Sequence, residues 1–191
     1  MKPHTESTKG RLLVASPTLL DPNFHRTVVL MLEHNHDGAI GVVLNRSRFV
    51  GGSEAAPLWA DRLVHPCQLH DGGPVSKDSV IGLGLASEVY SQAAPAESGV
   101  TPLLGCVGVL DLHRNPSELP EVTGVRLFAG YAGWSGGQLD AELNAGGWII
   151  ADAREEDVVT DDAGGLWQTV LARQDGLTSL LARYPDDPAM N

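Results

Sequence analysis

The chain is poor in cysteine, in positive charge, and in long apolar runs. Its two cysteines, Cys67 and Cys106, are far apart. They give no basis for a disulfide framework and read as reduced thiols of a cytoplasmic protein. No apolar stretch approaches the roughly 20 residues that a membrane-spanning helix needs. The opening MKPHTESTKG is polar and lacks the apolar centre of an export signal. Lys and Arg number 13 against 24 Asp and Glu, a net charge of −11. Such a chain repels phosphate backbones unless its bases gather on one face. No internal repeat or low-complexity tract is present. The 42% of apolar residues in 191 is enough for one well-buried domain.

Histidine is absent from the last third: none follows His113. This bears on Gly133-Trp134-Ser135-Gly136-Gly137, which matches the G-x-S-x-G nucleophile elbow of α/β-hydrolases. An apolar run, 125–132, leads in, and a helix-like GQLDAEL leads out. In that fold the base histidine follows the serine, and here none does. Other chain orders build triads too, so a hydrolase stays as the third reading. The simpler one is a tight turn in which glycines let the chain reverse. Gly136 and Gly137 would then open a helix, with backbone N–H groups facing outward where an anion could sit. No P-loop lysine follows.

The pattern along the chain predicts one α+β domain over 11–191 behind a flexible tail, 1–10. RLLVA (11–15) reads as a strand. FHRTVVLMLEH (24–34) and AIGVVLNRS (39–47) read as a hairpin around NHDG. SEAAPLWADRLV (53–64) reads as a short helix, DGGPV (71–75) as a turn, and 79–86, 103–112, 124–134 and 147–152 as strands. SQAAPAESGVTP (91–102) reads as a loop or lid. GGQLDAELNAG, LWQTVLARQ and LTSLLARYP read as helices. Together these predict a mixed, mainly antiparallel sheet with flanking helices.

Several clusters invite chemistry. A hairpin centred near His36 places Arg26 opposite Arg46, and facing like charges destabilise a sheet. An acidic partner such as Asp21, solvent exposure, or a bound anion would offset the repulsion. EHNHDG (33–38) offers metal-ligand types, but a turn makes adjacent side chains diverge, and metal needs three or four converging ligands. HPCQLH (65–70) sets Cys67 between histidines, as a reactive thiol or as a buried small residue.

The segments GRLLVASPTLLDPNFHRTVVLMLEHNHDGAIGVVLNRS (10–47), GGPV (72–75), RLFAGYAGWSGGQLDAEL (126–143) and YPDDPAMN (184–191) resemble the YqgE/AlgH family of small bacterial proteins. The resemblance covers nearly the whole chain. It implies one compact cytoplasmic domain without an established activity, some of whose members carry a transcriptional-regulator label. It also implies that glycine usually takes the Ser135 position. It brings no catalytic residues, and no metal or cofactor is expected.

Two binding modes follow. One is a regulatory or adaptor protein acting through an unidentified protein partner. The other is a small-ligand or anion binder using Arg26, Arg46, Gly72, Gly73, Gly133, Gly136 and Gly137. Direct, specific DNA binding is not expected. The nearest helical pair, 166–185, carries only Arg183 on its second helix, and its apolar face is expected to pack on the sheet.

Overall fold

The computed structural model describes residues 6–90 and 98–185. Most of the segment read as a lid and the end of the chain, 91–97 and 186–191, therefore lie outside the described residues, as does 1–5 of the expected tail. From Ser7 onward that tail is bonded to the sheet. The Ser7 hydroxyl donates to the His34 carbonyl at 2.9 Å, and the Gly10 N–H donates to the Met31 carbonyl at 2.8 Å.

The strands are β1 (Arg11–Ala15), β2 (Val28–Asn35), β3 (Gly38–Val43), β4 (Ser47–Gly51), β5 (Gln68–Asp71), β6 (Val75–Ala86), β7 (Val100–Leu104), β8 (Val107–Leu110), β9 (Val122–Ser135) and β10 (Trp148–Asp152). They form one sheet in the order β10-β1-β2-β3-β9-β6-β8-β7, with β4 on β5 and β5 on β9. Among the described residues every pairing of strands is antiparallel except β5 with β9. The sheet curls into a half-barrel. Its far strand comes so near the start of β1 that a Cβ on Gly10 would lie 3.0 Å from the Leu103 carbonyl oxygen.

Side chains alternate faces along a strand, and here both faces are covered. Leu12, Val14, Val28, Leu30 and Val42 pack with Phe128, Leu83, Trp167 and Leu171. Their neighbours Leu13, Val29, Met31 and Val43 pack on the opposite face with Trp134, Leu139 and Trp148. Burial on both sides explains why these strands read as unbroken apolar runs. The first face takes α3 (Glu155–Val159) and α4 (Leu166–Ala172), the second α2 (Gln138–Asn144).

Two expected elements differ. The helix over 53–64 divides into α1 (Gly52–Ala55) and a 3-10 turn, Pro57–Arg62. Proline restricts the residue before it, and Ala56 sits at φ −140, ψ 75, where no helix continues. The single strand over 103–112 is the hairpin β7–β8, reversed at Gly105 with φ +51. β4, β5 and α3 have no counterpart among the expected elements. Among the described residues no helix is long and apolar enough to cross a membrane.

Candidate functional site

The long strand β9 organises the region where the glycine-rich segments lie. Leu127 to Ala129 pair with β5 on one edge and β6 on the other. From Ala132 onward β3 takes over the first edge. Two strands thus share one edge of β9 end to end, and Gly72 and Gly73 sit at the junction. The Gly72 N–H donates to the Ala129 carbonyl and the Val43 N–H donates to the Gly72 carbonyl, at 2.8 and 2.9 Å. A Cβ on Gly72 would fall 2.4 Å from the Gly130 oxygen, and one on Gly73 2.2 Å from the Tyr131 carbonyl carbon. Gly130, at φ +68, closes the other side against Val75 and Gly73. The two segments meet main chain to main chain.

The other glycines serve separate ends. Gly133 lies within β9, paired with Ile40; the nearest atom to a Cβ there would be the Tyr131 ring edge at 3.3 Å. Gly136 packs against the His36 carbonyl, and Gly137, at φ +74, caps α2.

Arg26 and Arg46 are not cross-strand neighbours. The expected register holds where Val29, Leu30 and Met31 face Val43, Val42 and Gly41, and a bulge near the turn shifts it by one. The ladder ends before either arginine. The Asn45 amide takes over, accepting from the Val28 N–H and donating to the Arg26 carbonyl, each at 2.8 Å. Arg26, at φ 53, turns its guanidinium over the Trp167 ring at 4.4 Å and donates to the Tyr184 carbonyl. Arg46 donates to the Pro22 and His25 carbonyls. It also lines a small cleft of about 30 Å³ with Asn23, Val43, Asp71, Gly73, Pro74 and Lys77. Of the seven residues read as ligand-binding, this cleft gathers Arg46 and Gly73.

Strand, turn and helix do surround Ser135, but its hydroxyl is bonded to the Gln138 amide oxygen at 3.1 Å. An amide is no general base. The EHNHDG side chains separate: Glu33 bonds Lys9, His34 turns inward to the Thr8 N–H, and His36 lies 3.2 Å from Asp37. No group of three metal-ligating side chains converges among the described residues. Cys67 is exposed rather than buried, and its thiol bonds the Leu63 carbonyl.

Arg126 and His70 form a buried pair that no sequence motif announces. Arg126, mid-strand in β9, donates to the His65, Val159 and Thr160 carbonyls. His70, on β5, is fully buried against Phe128, and neither ring nitrogen has a hydrogen-bond partner among the described residues. Burial, and then the Arg126 charge, push its pKa from 6.5 down to about 4. A charged residue inside the apolar run VRLFAG was the available signal.

An apolar groove of about 440 Å³ lies elsewhere on the surface. Ala55, Ala56, Pro57 and Leu58 form one wall, facing Val80 and Ser79 of β6 and Leu112 and His113 after β8. Beside it β6 bulges outward: Val75 faces Tyr131 and Val80 faces Ala129, so residues 76–79 lie opposite Gly130 alone and are all exposed.

A family model described as AlgH-like matches residues 12–179. A UPF0301 protein of Streptomyces coelicolor is 44% identical over 187 residues, covering 97% of this chain and 96% of the relative. One from Mycolicibacterium smegmatis is 41% identical over 183 residues, covering 95% and 90%. The crystal structure of protein DIP2367 from Corynebacterium diphtheriae matches with a TM-score of 0.84 at 32% identity, covering 96% of this chain and 95% of that one. The solution structure of the AlgH protein from Pseudomonas aeruginosa matches with a TM-score of 0.65 at 26% identity, covering 98% and 99%.

Proposed function

The chain belongs to the AlgH-like family, and from that premise we propose that it is a regulatory or adaptor protein, acting by contact with another protein. The observation that carries this reading is where apolar surface remains. Leu58, Leu177 and Leu180 are 57%, 82% and 56% exposed, while the glycine-rich segments fill each other's space. Exposed apolar side chains that lie together mark contact surfaces, and Leu177 and Leu180 stand three apart on one 3-10 helix, where such positions eclipse. The 3-10 helix Gly176–Arg183, whose apolar face is expected to pack on the sheet, turns Leu181 and Ala182 inward but leaves Leu177 and Leu180 outside.

The setting proposed is the cytoplasm, in keeping with two free thiols. Any effect on transcription runs through the partner. Arg46, Arg62 and Arg126 are engaged with main-chain carbonyls, and Arg11, Arg154 and Arg173 with carboxylates. Few of the bases among the described residues are left to neutralise phosphates.

A photo-cross-linking residue placed in turn at Leu58, Leu177, Leu180 and, as a polar control, Glu156 tests the reading in living cells. A discrete cross-linked protein from at least one leucine position, and none from Glu156, is expected. Silence at all three leucines would end it. Submicromolar binding of a promoter duplex that survives competitor DNA at about 0.15 M salt would put direct regulation in its place.

The second reading, an anion or small ligand, rests on the cleft of Arg46, Gly73 and Lys77. Its room of about 30 Å³ suits one water or one small ion. Phosphate raising the melting temperature of the native chain but not of Arg46→Ala would support it.

A further inference from the structure

We propose that the groove between Pro57–Leu58 and Val80–Leu112 docks an extended apolar segment of a partner protein flanked by Lys or Arg. This rests on the reading that the chain works through protein contacts, and it names where and with what chemistry.

The lining decides the first half. Ala55, Ala56, Pro57, Leu58, Val80 and Leu112 are apolar, and the polar members, Ser79 and His113, are both exposed. Sites for small molecules fix their ligands with a few convergent, buried polar groups. This groove has none among its lining residues. It offers area without orientation, which suits side chains carried on a peptide backbone.

The rim decides the second half. Glu54, Asp78 and Asp111 immediately precede the lining residues Ala55, Ser79 and Leu112, and all three are exposed. The Asp111 carboxylate accepts from the N–H of the lining residue His113 at 3.0 Å. Of the nearby bases, Arg114 lies 3.3 Å from Glu118, which leaves the exposed Lys77 against the three carboxylates. The rim is therefore negative on a chain of net charge −11. It repels anionic lipid and nucleic acid and attracts a basic segment.

The probe is a fluorescent octapeptide, KRLAVLKR, against the full chain labelled with nitrogen-15. EELAVLEE and KRSASSKR serve as the charge-reversed and polar-centred controls. Only KRLAVLKR is expected to bind saturably, moving the amide signals of Ala55, Ala56, Leu58, Ser79, Val80, Leu112 and His113. Leu58→Asn, at an exposed position, should weaken it about tenfold while leaving the remaining spectrum in place. Glu54→Gln with Asp78→Asn and Asp111→Asn should weaken it by a similar factor and flatten its salt dependence. Equal binding of EELAVLEE, shifts that map elsewhere, or no binding up to about 1 mM would overturn the assignment. Cross-links at Leu177 or Leu180 alongside an empty groove would also overturn it, and would leave the protein-contact reading standing.

Discussion

Gly73 and Tyr131 touch through their main chains, so closely that a methyl on Gly73 would fall 2.2 Å from the Tyr131 carbonyl carbon. No rotamer change relieves a clash with backbone. Gly73→Ala should therefore destabilise the fold by about 3 kcal/mol or more. Gly137 provides the comparison: it needs φ +74, but a Cβ there meets nothing within 4 Å. Gly137→Ala should cost only about 1 kcal/mol. Urea midpoints of the two variants separate close approach from backbone conformation. Equal losses would show that the junction is looser than described.

Arg173 joins α4 to α3. Its guanidinium grips Asp157 at 2.6 and 2.7 Å and also donates to the Asp152 carbonyl. Asp157 is 2% exposed and additionally accepts from the Arg154 N–H. Arg173→Met leaves that carboxylate buried and unpaired, with an expected loss of about 3–5 kcal/mol. Combining it with Asp157→Asn, which keeps an acceptor for Arg154 without the charge, should recover part of the loss. Thermal unfolding of both variants checks the order.

His70 makes stability depend on pH. Its folded pKa, about 4, lies below the ordinary 6.5. Between those values the unfolded chain binds a proton that the folded chain refuses. The contribution is therefore complete above pH 6.5, shrinks as pH falls, and is gone by about pH 4. Its size is about 3 kcal/mol. His70→Phe should flatten the urea-midpoint profile between pH 7 and pH 4.5 relative to the native chain. Parallel profiles would show that His70 is protonated in place.

Ser135 should be dispensable. Ser135→Ala removes one exposed hydrogen bond to Gln138 and should change stability by less than about 0.5 kcal/mol. A fluorophosphonate probe should leave the native serine unlabelled. Labelling at that position would restore the nucleophile reading.

What could be read from the sequence was what is encoded locally. The hairpin of β2 and β3 declared itself through a β-branched run, an Asn-His-Asp-Gly turn and an apolar return, and its central register followed from the position of the turn. The two arginines escaped because ladder length is settled elsewhere: the Asn45 side chain, not a backbone pair, ends the strand. The reversal at Gly105 was hidden in an apolar stretch without a usual turn pair. The site was harder still. Gly72 and Gly130 are 58 positions apart, and only the fold shows that the Gly130 carbonyl leaves no room for a side chain at Gly72, while Gly73 and Val75 leave none at Gly130. The groove is assembled from three separate segments, so no single window of sequence contains it.

The junction on β9 has a consequence for how the chain can change. The Val43 N–H meets the Gly72 carbonyl, and the Asp71 N–H meets the Arg46 carbonyl at 2.7 Å. The stretch between carries β4, α1, the Pro57–Arg62 turn and β5; its two ends lie side by side, and Leu63 to Asp71 return along β9. An excursion whose ends are already tied tolerates new length cheaply, at about 0.6 kcal/mol per doubling. One wall of the groove, Ala55 to Leu58, rides on it. The barrel can thus stay constant while length is added at the exposed end of that wall, around Leu58, with Ala56 and Trp59 kept as its buried anchor. Specificity would then evolve in the excursion, and stability in the strands beneath it.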